Sequence, residues 1–156
     1  MKLFLTAVTM MAILMFSIGA MAATSTATFN VTATATGNCR ITGTTNVAFG
    51  DYDPTNATPA DAMGNMTFRC TKGTTYWLYI TGARSMASTP AGETLNFELY
   101  TDAARTASFP LVKTGAGTSS ASNAAQTQNI YGRIPAEQDV TAGRTFLQTL
   151  TATVEY

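Results

Sequence analysis

The chain has 156 residues, with nine Lys plus Arg balancing nine Asp plus Glu, no His, two Cys, and charged residues at only 12%. The missing His excludes a Ser-His-Asp or Cys-His centre, and two Cys alone cannot build a structural zinc site. The basic residues are scattered along the sequence, which leaves no electrostatic footprint for nucleic acid, and the composition as a whole argues against an enzyme.

At the N-terminus, Lys2 precedes residues 3–18, sixteen positions without a charge, and Ala20 and Ala22 stand three and one positions before a cut after Ala22. Charged head, apolar body and A-x-A ending read as a secretory signal peptide over residues 1–22. The apolar run is shorter than the ~20 residues of a membrane-spanning helix. Cleavage leaves 156 − 22 = 134 residues with eight basic and nine acidic groups, a net charge of −1. The expected destination is the periplasm and then the cell surface or exterior.

Thr is the dominant residue, 30 of the 156. It is β-branched and suits a pleated, half-exposed surface. Period-two alternation recurs through the mature chain, whereas no apolar helical stripe runs for three turns. Short alternating runs punctuated by Gly and Pro predict an all-β antiparallel sandwich.

The first element is the most regular. Over residues 24–36 every even position is Thr or Asn, and the odd positions read Ser25, Ala27, Phe29, Val31, Ala33 and Ala35. That is an amphipathic strand about twice the usual length. Chain ends ordinarily fray, so a strand patterned this well at the mature N-terminus needs a partner. The partner is either its own sheet or another molecule.

Cys39 is in phase with Ile41, and Cys70 with Met66 and Phe68, so both sulfurs point inward. In an exported chain they are expected to form one disulfide. Closing a loop of about thirty residues stabilises by roughly 3–4 kcal/mol in the chain-entropy model.

Residues 46–49 are followed by the turn Gly50-Asp51-Tyr52-Asp53-Pro54 and a loop over 55–61. Strands are predicted over 62–71, over 75–81, around Leu95, Phe97 and Leu99, and briefly over 109–112. In the 75–81 strand, Tyr76, Leu78 and Ile80 share one face, while Trp77 and Tyr79 take the other, which predicts a central or covered strand. Residues 113–129 are nearly all small or polar, and the first two-thirds read as a flexible surface loop. Strand character resumes over 128–134, residues 135–143 turn, and a last strand runs over 144–156, giving a hairpin-like ending. In it Leu150, Ala152, Val154 and Tyr156 alternate with Thr149, Thr151, Thr153 and Glu155. Seven to nine strands are expected.

Three pairs of residues have a sharper reading beside a plain one. Asp51 and Asp53 are hard oxygen donors of the kind calcium takes, but an Asp-Pro turn explains them more simply. Trp77 and Tyr79 could stack a sugar, or simply pack. Arg84 and Arg133 suit surface ion pairs better than a site. No metal or cofactor is expected.

The sequence resembles the spore coat protein U domain family, the pilins of archaic chaperone–usher pili. The matching blocks are Gly37-Asn38-Cys39-Arg40-Ile41, Phe49-Gly50-Asp51-Tyr52-Asp53-Pro54, Cys70-Thr71-Lys72-Gly73, Leu95-Asn96-Phe97-Glu98-Leu99-Tyr100-Thr101-Asp102 and Tyr131-Gly132-Arg133-Ile134-Pro135, then Ala142-Gly143 and the final strand. The chain departs from the family's pattern at Phe146-Leu147-Gln148, where a tyrosine and an aspartate are common, and in having only Phe109 as the aromatic after Asp102.

The resemblance implies an immunoglobulin-like sandwich one strand short, whose open apolar groove is filled first by a periplasmic chaperone. At the outer-membrane usher, the N-terminal strand of the next identical or related pilin subunit would replace the chaperone, and the chain would then be a structural subunit of a surface pilus or fibre serving attachment or biofilm formation. Residues 23–36 are the implied donor segment, presenting Ala27, Phe29, Val31, Ala33 and Ala35, and residues 37–156 the pilin domain. Leu150, Ala152, Val154 and Tyr156 are the implied chaperone-binding edge, with the carboxylate of Tyr156 gripped by chaperone basic residues. Two other readings stay open: a monomeric secreted coat protein with a self-contained sandwich, and a small adhesive module.

Overall fold

The structure, a computed structural model, describes residues 23–156. The signal peptide expected over 1–22 lies outside the described residues. The chain divides into two units, Met1–Ala33 and Thr34–Tyr156.

In the first unit, residues 23–33 form no β-ladder, and their side chains are exposed. The alternation that predicts a strand is present, but no hydrogen-bonded partner accompanies it.

The second unit contains ten strands and, among the described residues, no helix. In chain order they are β1 (Cys39–Thr45), β2 (Ala60–Cys70), β3 (Thr75–Thr81), β4 (Ser85–Thr89), β5 (Thr94–Asn96), β6 (Glu98–Tyr100), β7 (Thr118–Ser119), β8 (Gln126–Ile134), β9 (Thr145–Leu147) and β10 (Thr151–Glu155). They make one four-stranded sheet, β1-β2-β8-β6, and two three-stranded sheets, β10-β3-β7 and β5-β4-β9. Every ladder is antiparallel. The architecture is the expected all-β, antiparallel one.

Two buried clusters lie between the sheets. The larger contains Met66, Ile80, Leu95, Phe97, Leu99, Phe109, Ile130 and Ile134. The smaller contains Cys39, Phe68, Cys70 and Tyr76, with Ile41, Leu78 and Val154 half-buried against it. The expected Cys39–Cys70 disulfide is formed, spans 31 positions, and sits at a rung where β1 and β2 pair. Phe68 and Tyr76 meet edge to face beside it at 5.0 Å.

Several expectations need correction. The run holding Leu95, Phe97 and Leu99 is two strands: β5 pairs with β4 and β6 with β8, so the chain changes sheets at Phe97. The final run does the same: β9 pairs with β4 and β10 with β3, across a break at 148–150. The ending is therefore no hairpin. In both places inward residues keep alternating although the ladder partner changes, because alternation reports which side faces the core and not which strand lies alongside. The short strand β4 lacks a clean alternating signal, and residues 109–112 are not a strand, although Phe109 is buried.

Residues 113–129 are also not a loose loop. β7 pairs with β3, Ser120 is buried, and its hydroxyl donates to the Ser122 carbonyl and accepts from Gln126. Small residues permit this close packing. A Cβ on Gly117 would stand 2.4 Å from Thr75 Cγ2 and 2.8 Å from the Trp77 ring.

Candidate functional site

The implied donor segment, residues 23–36, is in no ladder, and its apolar and polar side chains alike are exposed. Phe29 is 85% and Val31 86% exposed, a costly disposition for two large apolar side chains in water. Ala27, Ala33 and Ala35 are exposed as well.

Within the second unit, β1 is one edge of the four-stranded sheet and β10 one edge of β10-β3-β7, and the two strands lie beside each other. β10 pairs only on its β3 side, from Thr151↔Thr81 to Glu155↔Trp77. Its other side has no ladder partner among the described residues. Such an edge exposes a row of backbone donors and acceptors that can template another strand. Leu150 and Ala152 are half-buried against the larger cluster and Val154 against the smaller one, while Tyr156 is exposed.

The opposite face of β3 is covered by the same protein. Trp77 Nε1 donates to the Gly115 carbonyl at 3.1 Å, and Lys113 Nζ stands 3.8 Å from the Trp77 ring centroid. Lys113 also donates to Glu155 at 2.8 Å, and the Tyr79 hydroxyl donates to the second oxygen of that carboxylate at 3.0 Å. These hydrogen bonds, Lys113's foremost, hold the Glu155 carboxyl below its ordinary value, and Glu155 in turn pushes the Tyr79 phenol up. Trp77 and Tyr79 are thus engaged in packing and do not form a free stacking platform.

The other weighed residues have local explanations too. Asp53 accepts from the amide and hydroxyl of Thr55, closing a turn, and those bonds lower its pKa. Among the described residues no group of three or more His, Cys, Asp or Glu is placed to hold a metal. Arg133 makes a two-nitrogen contact with Asp61 at 2.8 and 2.9 Å, which lowers the Asp61 carboxyl. Arg84 is half-buried and donates to the Ile80 carbonyl.

A sequence model described as the Spore Coat Protein U domain matches residues 25–153. No curated protein matches the sequence. Among solved structures, the chain is similar to one described as the CsuC-CsuE chaperone–tip adhesion subunit pre-assembly complex from the archaic chaperone-usher Csu pili of Acinetobacter baumannii. The identity there is 18% and the TM-score 0.49, with 79% of this chain and 40% of that chain covered. The chain therefore spans less than half the length of the one it is compared with.

Proposed function

The chain belongs to the Spore Coat Protein U domain family, and from that premise we propose that it is a structural, non-enzymatic subunit of a surface pilus assembled by donor-strand exchange. In this reading residues 23–36 are the donor segment. They leave one subunit and add to the free edge of β10 in the next, completing a sandwich that is one strand short. The observation that carries the reading is that one chain has both an exposed, unpaired segment of alternating sequence and a sheet edge that lacks a ladder partner among the described residues.

Magnitudes favour a tight, registered joint. Burying Phe29 and Val31 contributes about 1.5–3 kcal/mol each, with less from the alanines. A slip of one residue would place Thr or Asn in every apolar site, so the register is strongly selected. Strand pairing also satisfies backbone groups along β10 that otherwise rely on water.

Before assembly the same edge needs a temporary cover. A periplasmic chaperone pairing along Leu150, Ala152, Val154 and Tyr156 provides it, and an outer-membrane usher exchanges chaperone for subunit. Export through residues 1–22, and attachment or biofilm formation by the finished fibre, complete the proposal. The test is Phe29→Asp. This subunit should fold and accumulate with its chaperone yet yield no fibres, and fibres of normal length from it would refute the reading.

A further inference from the structure

Besides Arg84 before β4, and Glu98 and Asp102 on and after β6, the charges of the body Thr34–Tyr156 that ion pairs leave over gather at two ends. Asp61 takes Arg105 and Arg133, Glu155 takes Lys113, and Glu93 takes Arg144. Among the described residues, the basic groups outside these pairs are Arg40, Arg69, Lys72 and the half-buried Arg84.

Arg40, Arg69 and Lys72 gather at the disulfide end. Arg40 and Arg69 are direct cross-strand partners one rung from Cys39↔Cys70, and Lys72 follows in the turn towards β3. Like charges placed directly opposite on a strand pair repel. No carboxylate among the described residues forms an ion pair with either. Arg69 Nε donates to the Asn123 carbonyl at 3.0 Å, which fixes the guanidinium and leaves its two terminal nitrogens for another acceptor. The two arginines, with Asn38, Thr71 and Asn123, line a cleft of about 380 Å³ whose polar groups suit a carboxylate.

The opposite end has the opposite sign. Asp51 and Asp53 flank Tyr52, whose hydroxyl donates to the Pro135 carbonyl at 3.0 Å and accepts from the Gln138 amide at 2.9 Å. Glu137 and Asp139 flank Gln138, so one tyrosine ties together two loops with two exposed carboxylates each. None of the four is in an ion pair among the described residues. These loops lie beyond the last rung of β2 and β8, Ala60↔Ile134. At about 3.4 Å per residue, β2 holds the two poles roughly 30 Å apart.

We propose that the poles meet between copies: the end bearing Arg40, Arg69 and Lys72 docks on the loops bearing Asp51, Asp53, Glu137 and Asp139 of a second copy of this chain. The proposal rests on the fibre reading and adds to it an electrostatic joint that orients each subunit on the last. Strand geometry brings the same ends together. The donor segment leaves the body at Gly37-Asn38, beside the basic pole. A strand added antiparallel to β10, the sense of every ladder here, finishes beside Thr151, the rung of Thr81. Shortly after Thr81 the chain reaches Ser85, which pairs with Asn96, and Asn96 is bridged in both directions to Gln138 in the acidic loops. The root of the incoming segment therefore arrives at the acidic pole. Opposite ends in contact make a heterologous, open-ended assembly, and complementary fields steer its approach and register.

Fibres sheared from cells producing four versions of the full chain provide the test: unaltered, R40E with R69E and K72E, D51R with E137R and D139R, and all six substitutions together. Asp53 is left in place because it closes the Thr55 turn. Each single-pole reversal should shorten fibres by roughly tenfold, as expected when like charges face each other across a joint. The combined reversal should recover their length, and because it carries every substitution, recovery also shows that the single-pole variants fold. Unaltered length in the single-pole variants, or no recovery in the combined one, overturns the proposal. If the unaltered chain forms no boiling-sensitive multimers, the donor-strand reading has failed and this proposal with it; multimers that ignore the charge reversals defeat the polar joint alone.

Discussion

At the scale of single residues, close approach decides more than charge does. A Cβ placed on Gly132 would stand 2.5 Å from Val47 Cγ1 and 2.7 Å from Phe49 Cζ, side chains that close the sandwich over β8. Gly132→Ala should therefore destabilise the domain by about 1–3 kcal/mol, the usual cost of overpacking. Gly43, in β1, has nothing within 4 Å of its added Cβ and serves as the control. A denaturant midpoint that falls for Gly132→Ala and holds for Gly43→Ala is the expected result. Equal midpoints would show that Val47 and Phe49 move aside freely. Phe29 is the converse case, a large side chain with no site of its own among the described residues, and its value lies in what it meets elsewhere.

Among the elements, the disulfide-linked pair β1–β2 anchors the root of the N-terminal segment. Replacing both Cys39 and Cys70 by Ala should cost roughly 3–4 kcal/mol, from reopening the loop of 31 positions. Unfolding of the double variant, compared with the oxidised protein in denaturant, reads that loss directly, and an unchanged midpoint would show that the bridge constrains little. The inward phase of both cysteines is visible in the sequence because strand periodicity fixes it. The bounds of the 75–81 strand are equally legible, since its apolar run is continuous on both faces. The sheet changes at Phe97 and at 148–150 are not legible, because alternation continues unbroken through them. Nor is β7, whose Thr118 and Ser119 carry no apolar signal and are placed by the backbone bonds between Ser120 and the Gly73-Thr74 turn. In the proposed site, the unpaired donor pattern is plain in residues 24–36. The charge poles are hidden, since the loops of Asp51 and Glu137 are joined only through Tyr52 in the folded chain.

For the whole molecule, acid sensitivity follows from the carboxylates. Asp53, Asp61, Glu93, Asp102 and Glu155 all have pKa values lowered in the folded state, chiefly by hydrogen bonds from Thr55, Arg133, Thr141, Ala107 and Lys113 respectively. A group whose folded pKa is depressed adds stability that is fully present above its unfolded value and disappears as pH falls through the folded one. The unfolded values are 3.8 for Asp and 4.5 for Glu. The melting temperature should therefore be level from pH 7 to about 5 and decline below about 4. A level profile down to pH 2 would mean that these contacts do not persist in solution.

The assembled fibre is the largest scale, and the account depends on it. Material sheared from the surface of the native cell, run on an SDS gel with and without boiling, tests the central claim most directly. Strand-exchanged subunits give a ladder of multimers in the unboiled lane that collapses to one monomer band on boiling, because the joints are extensive, registered and non-covalent. A single monomer band in both lanes would contradict the account and indicate a self-contained coat protein whose N-terminal segment joins no neighbour.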